Sequence, residues 1–325
     1  MGGRPLFPPS PPFSSPAGRG PGVKTGCNPR ANLIWCLRLS LGDSRRNRWG
    51  EHTLSQRTVV VSCLAGVLAC VFSHLPISTP PSALALAPAA TSLKSELHLA
   101  TVPFSVGEEL IFEVRWMGLL AGYASMAVRG QTRRGGRDVY HIRSQAESSR
   151  FFSVFYYVRD LGETFMDVER LYPWYFHLDQ QEGSRIAQRT VIFDQTRGIA
   201  VYTKGQEAPK EVEVPLGVQD SLSSFYLLRT LPLQVGEPAS MKTFANGRTY
   251  DVEIHVLRRE KVEAYRGPVE TLVVRPVMTF QEILRQKGEV LIWLTDDARR
   301  MPVRMRTAIK VGAIEATLVD VRGAR

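Results

Sequence analysis

The sequence predicts a mainly β domain over residues 103–325, built as a strongly curved antiparallel sheet or open barrel of roughly twelve strands with one or two short helices. From about Phe104 onward, apolar and polar residues alternate with a period of two, which is typical of half-buried strands. Gly, Pro, Asp or Asn separate the runs. We expect so many strands to curve or close, because closure or helix cover removes exposed sheet edges.

The strands are predicted in order from these runs. "EELIFEVRWMG" and "LLAGYASMAVRG" form a hairpin, and five runs follow it: "DVYHIRSQAE", "GETFMDVE", "YFHLDQQ", "RTVIFDQ" and "GIAVYTKG". Asn246-Gly247 stands between two more runs and is a preferred pair for a two-residue type I′ turn. "PVETLVVRPV" and residues 287–322 supply about four more strands, with Asp296 and Asp297 in one turn and Gly312 in another.

Two stretches break the period. In "QDSLSSFYLLRTLPL", the spacing of Leu222, Phe225 and Arg229 predicts one short helix that is capped by Asp220 and ends before Pro232. "SSRFFSVFYYVRD" is compatible with a turn of helix or a buried strand, and we prefer the helix.

The first 102 residues are predicted to lie outside this domain. Residues 1–30 contain eight prolines and six glycines, so residues 1–56 are interpreted as a disordered leader. No methionine separates Met1 from Met117, and an over-extended gene model with a true start near Leu54 is an alternative explanation of the leader. Residues 57–87 are interpreted as an export signal, and residues 88–102 as a linker.

The apolar segment within residues 57–87 supports three readings. Arg57 precedes an uncharged run of about 15 residues, which matches the two first regions of a signal peptide. Cleavage after Ala85 is preferred, and lipidation of Cys70 in the lipobox-like "VLAC" is the rival. A retained membrane anchor is the third reading, although a span needs about 20 apolar residues. The predicted location is therefore the periplasm or cell envelope, with membrane anchoring as the alternative.

Charge and cysteine content exclude several functions for the β domain. The net charge of +10 arises mainly in residues 1–100, which carry 10 Lys/Arg and 3 Asp/Glu, whereas the rest carries 31 and 28. No nucleic-acid partner is therefore expected. All four cysteines precede residue 101, so the domain has no thiol for a disulfide, a metal site or a nucleophile. They are Cys27, Cys36, Cys63 and Cys70.

Catalytic motifs are equally scarce, and no cofactor is expected. The chain lacks the usual phosphate-binding loop, zinc-protease, hydrolase and dinucleotide motifs. His141, His177 and His255 lie in separate strands, so no metal site is predicted. Asp160, Asp167 and Asp194 are candidate carboxylates for a glycan hydrolase, but their spacing places no pair at a catalytic separation. Whether the protein is an enzyme stays open, with a binding role preferred.

Several phrases together resemble the domain of unknown function 3108 family, a group of exported bacterial proteins. They are "GEELIFEVRWMGLLAGYASMAV", "VQDSLSSFYLLRTLPLQVGE" and "GEVLIWLTDDARRMPVRMR" with "VGAIEATL", and they span about residues 103–322. The resemblance implies a periplasmic or envelope-facing β domain, and it carries over no established catalytic residues. Positions matching the family are Gly107, Gly122, Asp220, Arg229, Gly236, Trp293, Asp296, Pro302 and Gly312. We expect Gly122 to permit close backbone approach or a bulge, and Pro302 to lie at a sheet edge.

These observations favour an envelope protein that binds an apolar or amphipathic ligand, such as a lipid or a lipoprotein acyl chain. Aromatic side chains are numerous enough to line a cavity, and Arg229 at its mouth would pair with a lipid phosphate or carboxylate. The candidate ligand-binding residues are Trp116, Tyr226, Arg229 and Trp293. The alternative is a structural or interaction module that uses its sheet edges, and a glycan hydrolase is least favoured. Membrane contact is expected only through an uncleaved or lipidated N-terminus, and the oligomeric state stays open.

Overall fold

A computed structural model describes residues 102–280, 283–284, 288–309 and 311–323. The interpreted leader, export signal and most of the linker, including Cys70 and Ala85, lie outside the described residues. Those predictions therefore stay predictions.

The described residues form the mainly β fold that the alternating runs predict, with two short helices and with fifteen strands where roughly twelve were expected. Fourteen antiparallel strands make one open sheet in the order β8-β7-β6-β5-β4-β3-β2-β1-β15-β14-β13-β11-β10-β9, and β12 pairs with β11. The strands are β1 Glu109–Trp116, β2 Leu119–Arg134, β3 Arg137–Ser148, β4 Val158–Asp167, β5 Pro173–Glu182, β6 Arg185–Asp194, β7 Ile199–Lys204, β8 Lys210–Glu213, β9 Ala239–Ala245, β10 Arg248–Ala264, β11 Gly267–Phe280, β12 Ile283–Leu284, β13 Val290–Thr295, β14 Pro302–Ala308 and β15 Ala313–Arg322.

The sheet is curved, so that β9 at one end of the strand order packs against β6 and β7 near the other end. On β9, Phe244 packs edge-on against Phe193 of β6 and Tyr202 of β7, with ring centroids 5.9 and 6.1 Å apart. The edge of β9 is also paired, because Gln219 accepts a hydrogen bond from the Phe244 amide at 2.7 Å and donates one to the Lys242 carbonyl at 2.9 Å. Strand β8, the other end of the sheet, has the short and largely exposed sequence KEVE.

Both predicted helices are present. Helix α1 covers Arg150–Ser153, and the Ser149 side chain caps it by accepting a hydrogen bond from the Phe152 amide at 3.2 Å. Helix α2 covers Ser223–Leu228 and is almost entirely buried against the inward face of the sheet. Asp220 caps the turn that leads into α2 by accepting the Leu222 and Ser223 amides at 2.7 and 2.8 Å.

The predicted turns are confirmed. Asn246-Gly247 joins β9 to β10 with φ angles of 50° and 76°, and Gly312, with a φ of 79°, lies between β14 and β15. Gly122 faces a strand bulge between β1 and β2, and a β-carbon there would overlap the Glu147 carbonyl. Asp296 and Asp297 occupy the β13–β14 turn.

The expectation that Pro302 lies on an edge strand was wrong. Strand β14 pairs with both β13 and β15, so it is an interior strand. Proline is tolerated because it is the first residue of β14 and faces the bulge between Trp293 and Leu294. At that position the chain has no regular ladder hydrogen bond to lose.

Candidate functional site

The four residues predicted to bind a ligand do not meet in one site. Tyr226 and Arg229 lie in the interior at or next to α2, and Trp293 is buried in β13. Trp116 ends β1, at the opposite end of that strand from the partner of Arg229. Its ring packs edge-on against Phe152 at 5.9 Å.

The Arg229 side chain is buried and paired with a residue of this chain, so the prediction that it lies at the mouth of a cavity was wrong. Its guanidinium makes two bonds to the Glu108 carboxylate, with Nη1 to Oε1 at 2.6 Å and Nη2 to Oε2 at 3.1 Å. Nη2 also donates to the Pro103 carbonyl at 2.7 Å and to the Arg299 carbonyl at 3.1 Å. The two side chains are 0% and 3% exposed. The anion that Arg229 binds is therefore a carboxylate of this chain.

The other end of the α2 segment is held by Asp220. Its carboxylate accepts the Thr164 hydroxyl of β4 at 2.6 Å, in addition to the two amides that it caps. Burial raises the pKa of Asp220 to about 6, although these hydrogen bonds oppose the shift. The segment from Asp220 to Arg229 is thus tethered to the sheet at both ends, and it occupies the interior where a ligand was expected.

A second buried polar cluster lies on the inward faces of β4, β5 and β6. Gln180 donates to Glu182 at 3.3 Å and accepts from Arg189, while Asp160 accepts the Gln181 amide at 3.2 Å. Burial, followed by the charge of Glu182, raises the pKa of Asp160 to about 8. Asp160 is only 2% exposed, so a substrate does not reach it in this conformation.

The other candidate carboxylates cap turns. Asp167 accepts the amides of Glu169 and Arg170 and the indole N–H of Trp174. Asp194 accepts the amide and hydroxyl of Thr196 and the amide of Arg197. These contacts do not bring Asp167 or Asp194 next to Asp160. Within the described ranges, no group of three or more His, Cys, Asp or Glu side chains is arranged to hold a metal.

The most unusual exposed feature is the aromatic turn, residues 150–157, which contains α1. Phe151, Val154 and Phe155 are 67%, 80% and 74% exposed, although large apolar side chains are usually buried. Buried Phe152 anchors the turn against Trp116. In this turn, Phe152 therefore has an anchoring role, whereas Phe151 and Phe155 face solvent and line no cavity.

Two neighbouring turns extend this exposed surface. The Ser149 hydroxyl donates to the Leu120 carbonyl at 3.1 Å, which joins the aromatic turn to β2 beside the β1–β2 turn. The Trp116 indole donates to the Val311 carbonyl at 2.9 Å, which brings in the β14–β15 turn. We call the resulting surface the apolar end. Its exposed side chains are Met117, Leu119, Phe151, Val154, Phe155 and Val311.

The apolar end is flanked by positive charge. Arg150 and Arg159 are exposed, and Glu147 of β3 is the direct cross-strand partner of Arg159. Exposed apolar groups with a polar rim commonly mark a surface that contacts another molecule or a membrane. We take the apolar end as the candidate functional site. The sequence shows its aromatic residues but does not show which of them face outward.

A family model described as "Protein of unknown function (DUF3108)" matches residues 111–319. The chain belongs to this family. The family description assigns no activity that could be transferred to individual residues here. Asp220 and Arg229, which are expected from the sequence to match recurrent family positions, are the two tethers of the α2 segment. Among curated proteins, no sequence matches the chain.

Three solved structures resemble the fold. A β-barrel-like protein of domain of unknown function 1849 from Brucella abortus is 10% identical, with a TM-score of 0.47, and the match covers 67% of this chain and 97% of that chain. A candidate lipoprotein from Parabacteroides distasonis is 9% identical, with a TM-score of 0.30 and coverage of 67% and 96%. A candidate exported protein with a YmcC-like fold from Bacteroides fragilis is 10% identical, with a TM-score of 0.26 and coverage of 67% and 97%.

The buried ion pair generates a stability prediction. Replacing Arg229 with Met leaves the Glu108 carboxylate buried without its cation, so we expect the free energy of unfolding to fall by about 3–5 kcal/mol. Urea unfolding of the full chain measures this loss. Arg258→Met breaks the exposed pair with Glu260 and should cost less than about 1 kcal/mol. Equal losses for the two variants would contradict a structural role for Arg229.

Asp160 generates a pH prediction. Its pKa is higher in the folded chain than its ordinary value of 3.8, so between these values the folded state holds a proton that the unfolded state has lost. The free energy of unfolding should therefore fall as pH rises, by at most about 1.4 kcal/mol per pH unit from this group. Asp220 contributes in the same direction only up to about pH 6.

Asp160→Asn should consequently flatten the pH dependence of stability between about pH 6 and 8, as measured by urea unfolding at several pH values. Asp194→Asn is the matched control, because hydrogen bonding to Thr196 lowers the pKa of that exposed carboxylate. Asp194→Asn should therefore change the pH dependence of stability only at acidic pH. A slope that is unchanged in Asp160→Asn would show that this carboxyl ionises normally in the folded protein.

Proposed function

We propose that this chain is an exported envelope protein whose β domain binds an amphipathic lipid surface through its apolar end. The exposure of Phe151, Val154 and Phe155 on a well-anchored turn carries the proposal. The interior is a poor alternative for the same ligand, because the α2 segment occupies it.

The chemistry of the turn suits the boundary between lipid headgroups and acyl chains. Moving an exposed Phe or Val side chain out of water contributes about 1.5–3 kcal/mol when burial is complete. Three such side chains, partly buried, would support reversible binding and not permanent insertion. Exposed Arg150, at the start of the turn, can pair with an anionic phosphate.

The anchoring of the turn adds to this suitability. Because Ser149 caps α1 and Phe152 is buried, the exposed side chains are already held outward before a ligand arrives. Less conformational entropy is then lost on binding. Location supports the same function, since export through residues 57–87, or lipidation of Cys70, would bring the domain close to a membrane. Lipid binding through the apolar end would add to the membrane contact expected from an uncleaved or lipidated N-terminus.

The alternative of a module that binds partners through its sheet edges is less well supported by the edges themselves. Strand β8 has only four residues, three of them charged, and β9 is paired by the segment around Gln219. Short, charged or covered edges are features that prevent strand addition.

Vesicle co-sedimentation tests the proposal. The chain, as the expressing cell processes it, is mixed with vesicles of phosphatidylethanolamine and phosphatidylglycerol. We expect the triple variant Phe151→Ser, Val154→Ser, Phe155→Ser to lose at least about tenfold in partition coefficient, because the apolar contact is removed. Thermal unfolding should stay close to that of the parent, since all three side chains are exposed.

The matched control is Ile192→Ser with Leu216→Ser, which removes exposed apolar side chains elsewhere on the domain. This variant should bind vesicles like the parent, and both variants share any contribution of the N-terminus. Retention of full binding by the triple variant, or an equal loss in the control, would contradict lipid binding at the apolar end.

A further inference from the structure

The turn between β2 and β3 lies at the other end of these strands from the apolar end, and it brings two arginines together. Arg134 and Arg137 are direct cross-strand partners around Gly135-Gly136. Directly paired residues of an antiparallel hairpin point to the same face, and like charges in that position repel each other. The hairpin therefore carries an electrostatic cost that a bound anion would relieve.

Aromatic rings hold both guanidinium groups. The Arg134 guanidinium carbon lies 3.7 Å from the centroid of the Phe165 ring, and that of Arg137 lies 4.1 Å from the Trp174 ring. A guanidinium stacked on a ring keeps its N–H groups at the edge of its plane, where they remain available to an acceptor. The stacking thus orients the two cations without using their hydrogen-bond donors.

The supporting rings are themselves fixed. Phe165 stacks on His141 at 4.7 Å, and the Trp174 indole donates to Asp167 at 3.0 Å. Trp174 also packs edge-on against Tyr172 at 5.3 Å. Such a platform limits the motion of the arginine side chains, which lowers the entropy lost when a ligand binds.

Neither cation has a salt-bridge partner among the described residues, although the Asp167 carboxylate bonds to the Trp174 indole on which Arg137 lies. Within the part of the chain that the structure describes, no ion pair joins Arg134 or Arg137 to a carboxylate. Other arginines of the domain do form such pairs: Arg143 lies 3.7 Å from Glu163, and Arg115 bonds to Glu113. Arg133, on the other face of the hairpin, bonds to the Gly136 carbonyl at 3.3 Å. The two arginines are therefore held on aromatic rings with no direct salt bridge among the described residues.

We propose that Arg134 and Arg137, held on Phe165 and Trp174, form a binding site for a phosphate monoester. A phosphate monoester carries close to two negative charges at neutral pH and three acceptor oxygens, so it matches two guanidinium groups better than a single carboxylate does. The site is separate from the apolar end and does not depend on lipid binding there.

Titration with three soluble probes tests the site and identifies the source of the phosphate. The full chain is titrated with inorganic phosphate, glucose 1-phosphate and glycerol 3-phosphate, and the side-chain Nε–H signals of arginine are followed by NMR. We expect the Arg134 and Arg137 signals to shift with each phosphate. Tighter binding of glucose 1-phosphate than of glycerol 3-phosphate would indicate a sugar phosphate, and the reverse order a glycerol phosphate monoester such as the headgroup of phosphatidic acid.

Two variants separate this site from general charge. Arg134→Gln with Arg137→Gln should weaken binding at least about tenfold, because both charge-assisted contacts are lost. Arg258→Gln with Arg306→Gln removes the same charge from exposed positions elsewhere and should leave the affinity unchanged. Equal weakening in both variants would overturn the proposal. So would the absence of a shift at Arg134 and Arg137, or equally tight binding of glucuronate, which carries a carboxylate in place of a phosphate.

Discussion

The buried ion pair between Arg229 and Glu108 is the contact on which the arrangement of this domain depends. It joins the end of the α2 segment to the start of β1, across 121 positions of sequence. Two opposite charges in the interior are stable only while each has its partner, so the pair specifies where the segment must lie. With Asp220 bonded to Thr164 at the other end, the interior of the curved sheet is filled by the chain itself.

Because the interior is filled, a ligand would have to bind at the surface of the domain. The surfaces at the two ends of the strands differ in chemistry. One end exposes the aromatic turn, with apolar side chains and two arginines, of which Arg159 lies opposite Glu147. The other end places two arginines on aromatic rings at the β2–β3 turn. With the two proposed surfaces, the domain could contact a lipid surface and a phosphate-bearing component at the same time without a change in its core.

The sequence predicts the sheet well because the responsible signals are local. Alternation gives the strands, Asn246-Gly247 gives a hairpin, and Asp220 gives the start of a helical turn. Strand β8 was missed because KEVE contains one apolar residue. The partner of Arg229 was not predictable, since no local pattern links it to Glu108. Similarly, the aromatic turn contains large apolar residues at every face of a short helix, so periodicity does not reveal that Phe152 is buried and Phe155 exposed.

Because it is tethered at both ends, the α2 segment is a permanent part of the core and not a plug that a ligand displaces. Native-state hydrogen exchange of the amides of Ser223–Leu228, with and without a fatty acid, tests this claim most directly. We predict that these amides exchange only through global unfolding and that fatty acid leaves their protection unchanged. Exchange through a low-energy local opening, or a loss of protection when fatty acid is added, would contradict this. Either result would indicate that the interior can bind a ligand.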